Sequence, residues 1–172
     1  MPNLVLIGMP GCGKSYWGNL LSNELNIPFY DLDDIIEKEA GRKIAQIFAE
    51  HGESYFRDLE SLTLNNFLNT PPENDYILAC GGGTPAYKNN MTVINAKAKS
   101  LFLDVTIPKI ITQLTSDRQS NRPLLKTGSA EQLIQILQIL REKRLAHYTQ
   151  AQFSVSGSDI HIDNLKEIYF YE

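Results

Sequence analysis

The fold of this 172-residue chain is decided by residues 4–15, which read LVLIGMPGCGKS. The first four residues are apolar and predict a buried parallel strand, and the next eight match the pattern G-x-x-x-x-G-K-[ST]. In such a loop, backbone N–H groups and the positive end of the following helix converge on an anion. Lys14 then reaches the β- and γ-phosphates, and the Ser15 hydroxyl can bind Mg²⁺. A chance match to a glycine-rich turn is the alternative, but a strand precedes the loop and a helix-compatible stretch, 16–25, follows it. The pattern therefore predicts nucleotide binding.

Length and composition narrow the class of protein. A chain of this length with 42% hydrophobic residues can bury a sizeable core, so we expect one domain. The net charge of −4 gives no electrostatic argument for binding nucleic acid or an anionic membrane, and no apolar run approaches a membrane span. Two cysteines are too few for a disulfide framework, which fits a reducing cytoplasm. Because the loop begins at residue 8, we expect no signal peptide ahead of it.

A carboxylate cluster follows the second predicted strand, which begins at Phe29. Asp31, Asp33 and Asp34 lie just beyond its end, where ligands bind in open α/β sheets. The alternative is that one of them caps the helix predicted over 35–40. Three carboxylates exceed what capping requires, so we expect at least one of them to have a functional role.

Three glycines, Gly81, Gly82 and Gly83, follow the third predicted strand over 76–80. Consecutive glycines are conformationally costly, which indicates either backbone that approaches a ligand or a hinge or bulge. The ligand interpretation is favoured because a strand beside the loop strand delivers this turn to the same rim of the sheet.

Two arginines lie on predicted helices. On the helix over 53–68, Arg57 and Glu60 are neighbours at i, i+3, and an ordinary surface ion pair is the alternative to a functional pair. Arg144 lies on the apolar stripe of the helix over 129–148, where its guanidinium must extend to water or face an anion. The residues alone favour extension to water.

The rest of the chain predicts further alternation of strands and helices, with the first helix over 14–25, an end to the second helix at Gly41 and a stop to the third at His51-Gly52. The polar segment 115–128 is long for a connection and predicts either a lid or a disordered segment. Short strands are predicted over 153–155 and 160–162, with His161 an ordinary strand residue, and a final helix from 165. Strands alternating with helices after the glycine-rich loop predict an α/β fold with a doubly wound parallel sheet.

Six motifs, in order and spacing, resemble those of shikimate kinase. They span residues 4–148, and although many kinases share the first, the combination is specific to this family. The motifs are Gly8-x-x-Gly11-x-Gly13-Lys14-Ser15, Asp31-Leu32-Asp33, Gly52-Glu53-x-x-Phe56-Arg57-x-x-Glu60, Gly81-Gly82-Gly83, Arg122-Pro123-Leu124-Leu125 and Lys143-Arg144-x-x-x-Tyr148.

The resemblance implies a P-loop kinase: a three-layer sandwich with a central parallel sheet, a helical substrate-binding region and a mobile lid. It implies a single kinase domain over 1–172. The divisions implied are a core of about 1–30, 76–114 and 129–172, substrate-binding helices over about 31–70, and a lid over about 115–128.

The resemblance also implies a reaction and a role for each matched residue. The chain would transfer the ATP γ-phosphate to the 3-hydroxyl of shikimate, with Mg²⁺ as cofactor and as a monomer. ATP would bind Gly11, Cys12, Gly13, Lys14, Ser15, Tyr16 and Arg122, and the metal would bind Ser15 and Asp31. Shikimate would bind Asp33, Arg57, Gly81, Gly82, Gly83 and Arg144. The catalytic residues would be Lys14, Asp33 and Arg122, with Glu60 holding Arg57. Arg144 would then face a carboxylate instead of water.

Two departures from the family pattern accompany this resemblance. Many members carry an arginine where this chain has Thr115, which leaves the adenine contact without that residue. The strand before the glycines often has a hydroxyl residue, whereas this chain has Ala79-Cys80. The alternative functions are another small-molecule kinase on the same scaffold, such as gluconate kinase or adenylate kinase, and a nucleotide-binding module without catalysis.

Overall fold

The computed structural model describes residues 3–116 and 129–171, and a sheet of five parallel strands runs through this part of the chain. The strand order is β2-β3-β1-β4-β5. The strands are β1 (Leu4–Ile7), β2 (Phe29–Asp31), β3 (Ile77–Ala79), β4 (Lys99–Asp104) and β5 (Phe153–Ser156). All four side chains of β1 are buried, because strands pair on both of its edges and helices cover the sheet.

In the described part of the chain, one or two helices separate each strand from the next. The helices are α1 (Lys14–Leu25), α2 (Leu32–Ala40), α3 (Ile44–Asn69), α4 (Asn90–Lys97), α5 (Ile107–Ser116), α6 (Ala130–Tyr148) and α7 (Ile162–Phe170), with 3₁₀ turns at Thr84–Ala86 and Gly157–Asp159. The predicted α/β class and parallel sheet are confirmed. Within the described ranges, none of the helices combines the length and apolar character that a membrane span requires.

Strand register places the functional loops at one rim of the sheet. Leu6 of β1 pairs with Ala79 of β3, and Asp31 of β2 pairs with the same Ala79. The Cys80 N–H continues this ladder by donating to the Leu6 carbonyl at 3.1 Å. The glycine-rich loop, the carboxylate cluster and the glycine triplet therefore leave adjacent strands side by side, as parallel pairing requires.

Glycine and asparagine end several helices where the sequence indicates. α1 has the predicted bounds, and Asn26 ends it in the left-handed conformation, with φ 53°. Gly41 ends α2 in the same way, with φ 63°. The predicted stop at His51-Gly52 is also present: Gly52 interrupts α3 with φ 81° and ψ 177°, a conformation that is essentially restricted to glycine.

Two helix starts differ from the prediction because a side chain caps the helix earlier. α2 begins at Leu32 instead of residue 35, since an Asp31 carboxylate oxygen accepts the Asp33 N–H at 3.0 Å. The prediction of a strand over 160–162 is wrong. His161 is the N-cap of α7, where its Nδ1 accepts the Asn164 N–H at 3.3 Å, so the last helix starts at Ile162.

Candidate active site

The glycine-rich loop between β1 and α1 has a backbone that needs its glycines. Gly8, Gly11 and Gly13 have φ values of 147°, 80° and 91°, which side chains with a Cβ rarely adopt. Space is also restricted, since a Cβ on Gly8 would lie 2.8 Å from the Leu103 carbonyl oxygen and one on Gly11 would lie 2.8 Å from Leu114 Cγ. The loop is therefore packed closely against the end of β4 and against α5.

Lys14 starts α1 and turns its side chain back over this loop. Its Nζ donates to the carbonyl oxygens of Gly8 at 2.9 Å and Met9 at 3.0 Å, and the residue is buried. A cavity of 440 Å³ adjoins it, lined by Gly11, Gly13, Lys14, Ser15, Tyr16, Gln113 and Leu114. Five of these seven residues belong to the predicted nucleotide set, and Tyr16 is 66% exposed. The sequence did not indicate Gln113 and Leu114, which α5 brings to the loop.

The carboxylate of Asp31 has two functions in the structure. One of its oxygens caps α2, and the other accepts the Ser15 hydroxyl at 2.7 Å. The capping alternative is therefore confirmed for Asp31, while a functional role for the same residue stays a prediction. A hydroxyl and a carboxylate oxygen side by side form the kind of hard oxygen pair that Mg²⁺ prefers, so Ser15 and Asp31 fit a metal held jointly with phosphate oxygens.

The glycine triplet is explained by close packing and not by unusual backbone angles. None of its members has a positive φ. A Cβ on Gly82 would lie 2.6 Å from Pro10 Cδ, and one on Gly83 would lie 2.5 Å from the Arg57 Cζ. The hinge alternative therefore gives way to a crowded contact between the nucleotide loop on one side and Arg57 on the other.

Gly81 lies close to two carboxylates of the site, those of Glu60 and Asp33. A Cβ at this position would lie 2.4 Å from Glu60 Oε1 and 3.5 Å from Asp33 Oδ1. Asp33, in the first turn of α2, is half-buried. The structure therefore places this predicted acceptor-site carboxylate beside the triplet and near the pair formed by Arg57 and Glu60.

The pair of Arg57 and Glu60 is buried, so the surface-pair alternative is wrong. The Arg57 Nη1 donates to Glu60 Oε2 at 2.8 Å, and these residues are 9% and 0% exposed. Arg57 Nη2 also lies 3.4 Å from Glu53 Oε1, and the guanidinium stacks over Phe56 with 5.2 Å from Cζ to the ring centroid. A guanidinium fixed by two carboxylates and an aromatic ring is well oriented for an anion.

Arg144 is 7% exposed on α6, so its guanidinium does not extend to water. It interacts with Tyr148, one turn later on the same helix. Burial raises the pKa of Tyr148 to about 12. The charge of Arg144, the hydrogen bond from its side chain and the charge of Arg57 each act to lower this pKa. The Tyr148 hydroxyl donates to the Gly82 carbonyl at 2.6 Å. Both arginines therefore lie close to the glycine triplet.

Both cysteines are buried thiols near the loop. Cys12 is 0% exposed, with its Sγ 3.7 Å from the Lys14 Nζ, and its N–H donates to the Met9 carbonyl at 3.2 Å. Burial and then the charge of Glu60 raise the pKa of the Cys80 thiol well above its ordinary value, which keeps Cys80 neutral.

Several sequence expectations concern residues that the structure places elsewhere or does not describe. Arg122 and most of the predicted lid lie outside the described residues. Thr115 stands where many family members have an arginine, and its hydroxyl donates to the Ile111 carbonyl of its own helix at 2.9 Å. Thr84, which donates to Glu60, and Pro10, which packs on Gly82, were missed; their positions directly after the triplet and inside the loop are the only sequence signal.

Comparison with known proteins shows the family to which this chain belongs. A model of the shikimate kinase family matches residues 10–169. The chain belongs to the shikimate kinase family. The family's relative in Persephonella marina is 38% identical over 156 residues, covering 91% of this chain and 89% of that protein. The shikimate kinase of Caulobacter vibrioides is 37% identical over 91% of this chain and 74% of the relative.

Solved structures of the family share the fold. The crystal structure of shikimate kinase from Bacteroides thetaiotaomicron has a TM-score of 0.88 and 29% identity, and 97% of each chain is covered. The Acinetobacter baumannii shikimate kinase, solved in complex with shikimate, has a TM-score of 0.82 and 28% identity over 96% of this chain and 88% of that chain. The predicted resemblance, the P-loop kinase fold and the class of ATP-dependent kinase are therefore confirmed.

Proposed function

We propose that this chain transfers the γ-phosphate of ATP to the 3-hydroxyl of shikimate, giving 3-phosphoshikimate and ADP. The observation that carries the proposal is the crowded contact at the glycine triplet. Gly82 packs on Pro10 of the nucleotide loop, and Gly83 packs on the guanidinium of Arg57. A phosphate donor on the loop and a carboxylate on Arg57 would thus be neighbours, which is the positioning that phosphoryl transfer needs.

The nucleotide half of the site would be formed by the loop and the start of α1, namely by Gly11, Cys12, Gly13, Lys14, Ser15 and Tyr16. The phosphates would compete with the Gly8 and Met9 carbonyls for the Lys14 ammonium, which would then neutralise charge as it develops on the transferring group. Arg122 is proposed to add a second positive charge there. Ser15 and Asp31 would hold Mg²⁺ with the phosphates, and the bound ion would supply further charge neutralisation.

The acceptor half would be formed by α2, α3, the glycine triplet and the end of α6. Arg57 and Arg144 would bind the shikimate carboxylate with charge-assisted hydrogen bonds. The triplet, Gly81 to Gly83, would contact the ring through its backbone. Asp33 would orient the attacking hydroxyl and accept its proton. We further propose that the chain acts as a monomeric single domain in the cytoplasm, where ATP is available and where its two cysteines stay reduced.

A coupled assay of ADP release tests the proposal, with shikimate, quinate and gluconate offered separately. We expect ADP release to depend on shikimate. In the same assay Arg57→Ala and Arg144→Ala should raise the KM for shikimate and leave the KM for ATP nearly unchanged. ATP binding without shikimate-dependent ADP release would favour a nucleotide-binding module, and a preference for gluconate would assign another acceptor. If only the KM for ATP changed in the two variants, the acceptor site would be misplaced.

A further inference from the structure

A network of buried polar side chains holds Arg57 in position. Glu60 has no exposed surface, and both of its carboxylate oxygens are engaged. Oε2 accepts from Arg57 Nη1 at 2.8 Å, and Oε1 accepts the hydroxyl of Thr84 at 2.7 Å. The position of Arg57 is therefore set by a carboxylate that is itself held at its other oxygen.

Thr84 is held firmly in turn. It is fully buried at the start of the 3₁₀ turn that follows the glycine triplet. Its carbonyl accepts from Asn90 Nδ2 at 2.9 Å, and Asn90 Oδ1 accepts the Ser61 hydroxyl at 2.7 Å. Because Ser61 is next to Glu60 on α3, the hydrogen bonds run from this helix to Thr84 and back again. Such a satisfied buried network fixes a single arrangement of its members.

We propose that Thr84 is a positioning residue of the acceptor site, acting on the substrate carboxylate through Glu60 and Arg57. The inference rests on the proposed function, since it assigns the carboxylate of the acceptor to Arg57. The Thr84 hydroxyl fixes which way the Glu60 carboxylate faces, and Glu60 then fixes the plane of the guanidinium. Without the hydroxyl, Glu60 Oε1 is a buried charged oxygen that has lost a donor, and the carboxylate turns toward whatever donors remain.

The crowding around the glycine triplet strengthens this role. The space that a Cβ on Gly81 would occupy lies 2.4 Å from Glu60 Oε1 and 3.1 Å from the Thr84 hydroxyl. The two oxygens thus pack directly under the backbone that is proposed to contact the acceptor. A rotation of Glu60 moves its oxygen into or away from this backbone as well as away from Arg57.

Thr84→Val tests the proposal because valine keeps the shape of threonine and removes only the hydroxyl. Loss of a hydrogen bond to a buried charged group corresponds to roughly a tenfold effect or more. We expect the KM for shikimate to rise about tenfold, while the KM for ATP stays the same and kcat changes less. Thr84→Ser restores the hydroxyl and should restore the KM for shikimate.

Thr63→Val is the matched control. Thr63 is a buried residue of α3 whose hydroxyl also donates to a glutamate, at 3.3 Å, but this acceptor, Glu39, is exposed and the contact does not reach Arg57. Its removal should leave both KM values unchanged. If Thr84→Val folds too poorly to assay, Thr84→Ala and Thr84→Ser are compared by the same ratio of KM values.

The outcomes separate the inference from the proposed function. A wild-type chain that releases no ADP with shikimate overturns the proposed function. An active wild type whose Thr84→Val or Thr84→Ala variant keeps its KM for shikimate overturns the role of Thr84 alone. A loss that Thr84→Ser does not restore, or that Thr63→Val reproduces, makes Thr84 merely structural.

Discussion

The substitution Gly83→Ala probes the crowded contact between the triplet and Arg57. The added Cβ would lie 2.5 Å from Arg57 Cζ and 2.6 and 2.7 Å from the two terminal nitrogens. Ordinary contacts between such atoms are about 3.5–4.0 Å, so the guanidinium must retreat by about 1 Å. Its 2.8 Å hydrogen bond to Glu60 cannot survive a shift of that size in full.

The expected cost has a structural and a functional part. Loss of a hydrogen bond between charged groups lowers the free energy of unfolding by about 1.5–3 kcal/mol. Displacement of a substrate-positioning group by about 1 Å costs on the order of 100-fold in kcat/KM for shikimate. Urea unfolding followed by circular dichroism measures the first effect, and the coupled assay of ADP release measures the second.

A double-mutant cycle isolates the reason for the effect. In a background with Arg57→Ala and Glu60→Gln, the alanine at position 83 meets no guanidinium and no unpaired carboxylate remains, so Gly83→Ala should cost little in unfolding free energy. Gly82→Ala is the control, because its Cβ would lie 2.6 Å from Pro10 in either background and should cost the same in both. An equal cost of Gly83→Ala in the two backgrounds would refute the argument that this glycine makes room for Arg57.

Three further predictions concern the loop and α6. Lys14→Ala should lower kcat on the order of 10³-fold with an unchanged far-UV spectrum, and near-normal turnover would remove the loop from the mechanism. Tyr148→Phe should lower the unfolding free energy by about 1–3 kcal/mol, measured by urea, because it leaves the Gly82 carbonyl without its hydroxyl donor. Since the pKa of Tyr148 rises from 10.0 to about 12 on folding, its contribution is complete below pH 10 and is lost as the pH rises towards 12. As the pH rises from 10 to 12, the urea midpoint of Tyr148→Phe should therefore fall less steeply than that of the wild type. Equal pH dependence of the two midpoints would contradict this. Because Cys12 is fully buried beside Lys14, iodoacetamide should inactivate slowly and ATP with Mg²⁺ should protect, whereas equal labelling with and without nucleotide would count against it.

Features encoded in a short stretch of sequence could be predicted well. The loop pattern, the bounds of α1 and the stops at Gly41 and Gly52 depend on residues that act on their immediate neighbours. The strand prediction at His161 was wrong because two local signals compete there. The alternation of this residue between two isoleucines is typical of a strand, but a side-chain cap three residues from Asn164 starts a helix there instead.

The sequence by itself determined the parallel α/β fold, the nucleotide loop and the residues of the family motifs. Only the tertiary structure decided that Arg57 and Glu60 are buried, that Arg144 is kept from water, and that Thr84 holds Glu60. Spacing along a helix shows which residues are neighbours on it, but not which distant segment covers them. Parallel pairing of β1 with β3 brings the triplet against both the loop and α3. This close packing leaves no room for a Cβ, which explains why three positions with ordinary backbone angles are occupied by glycine.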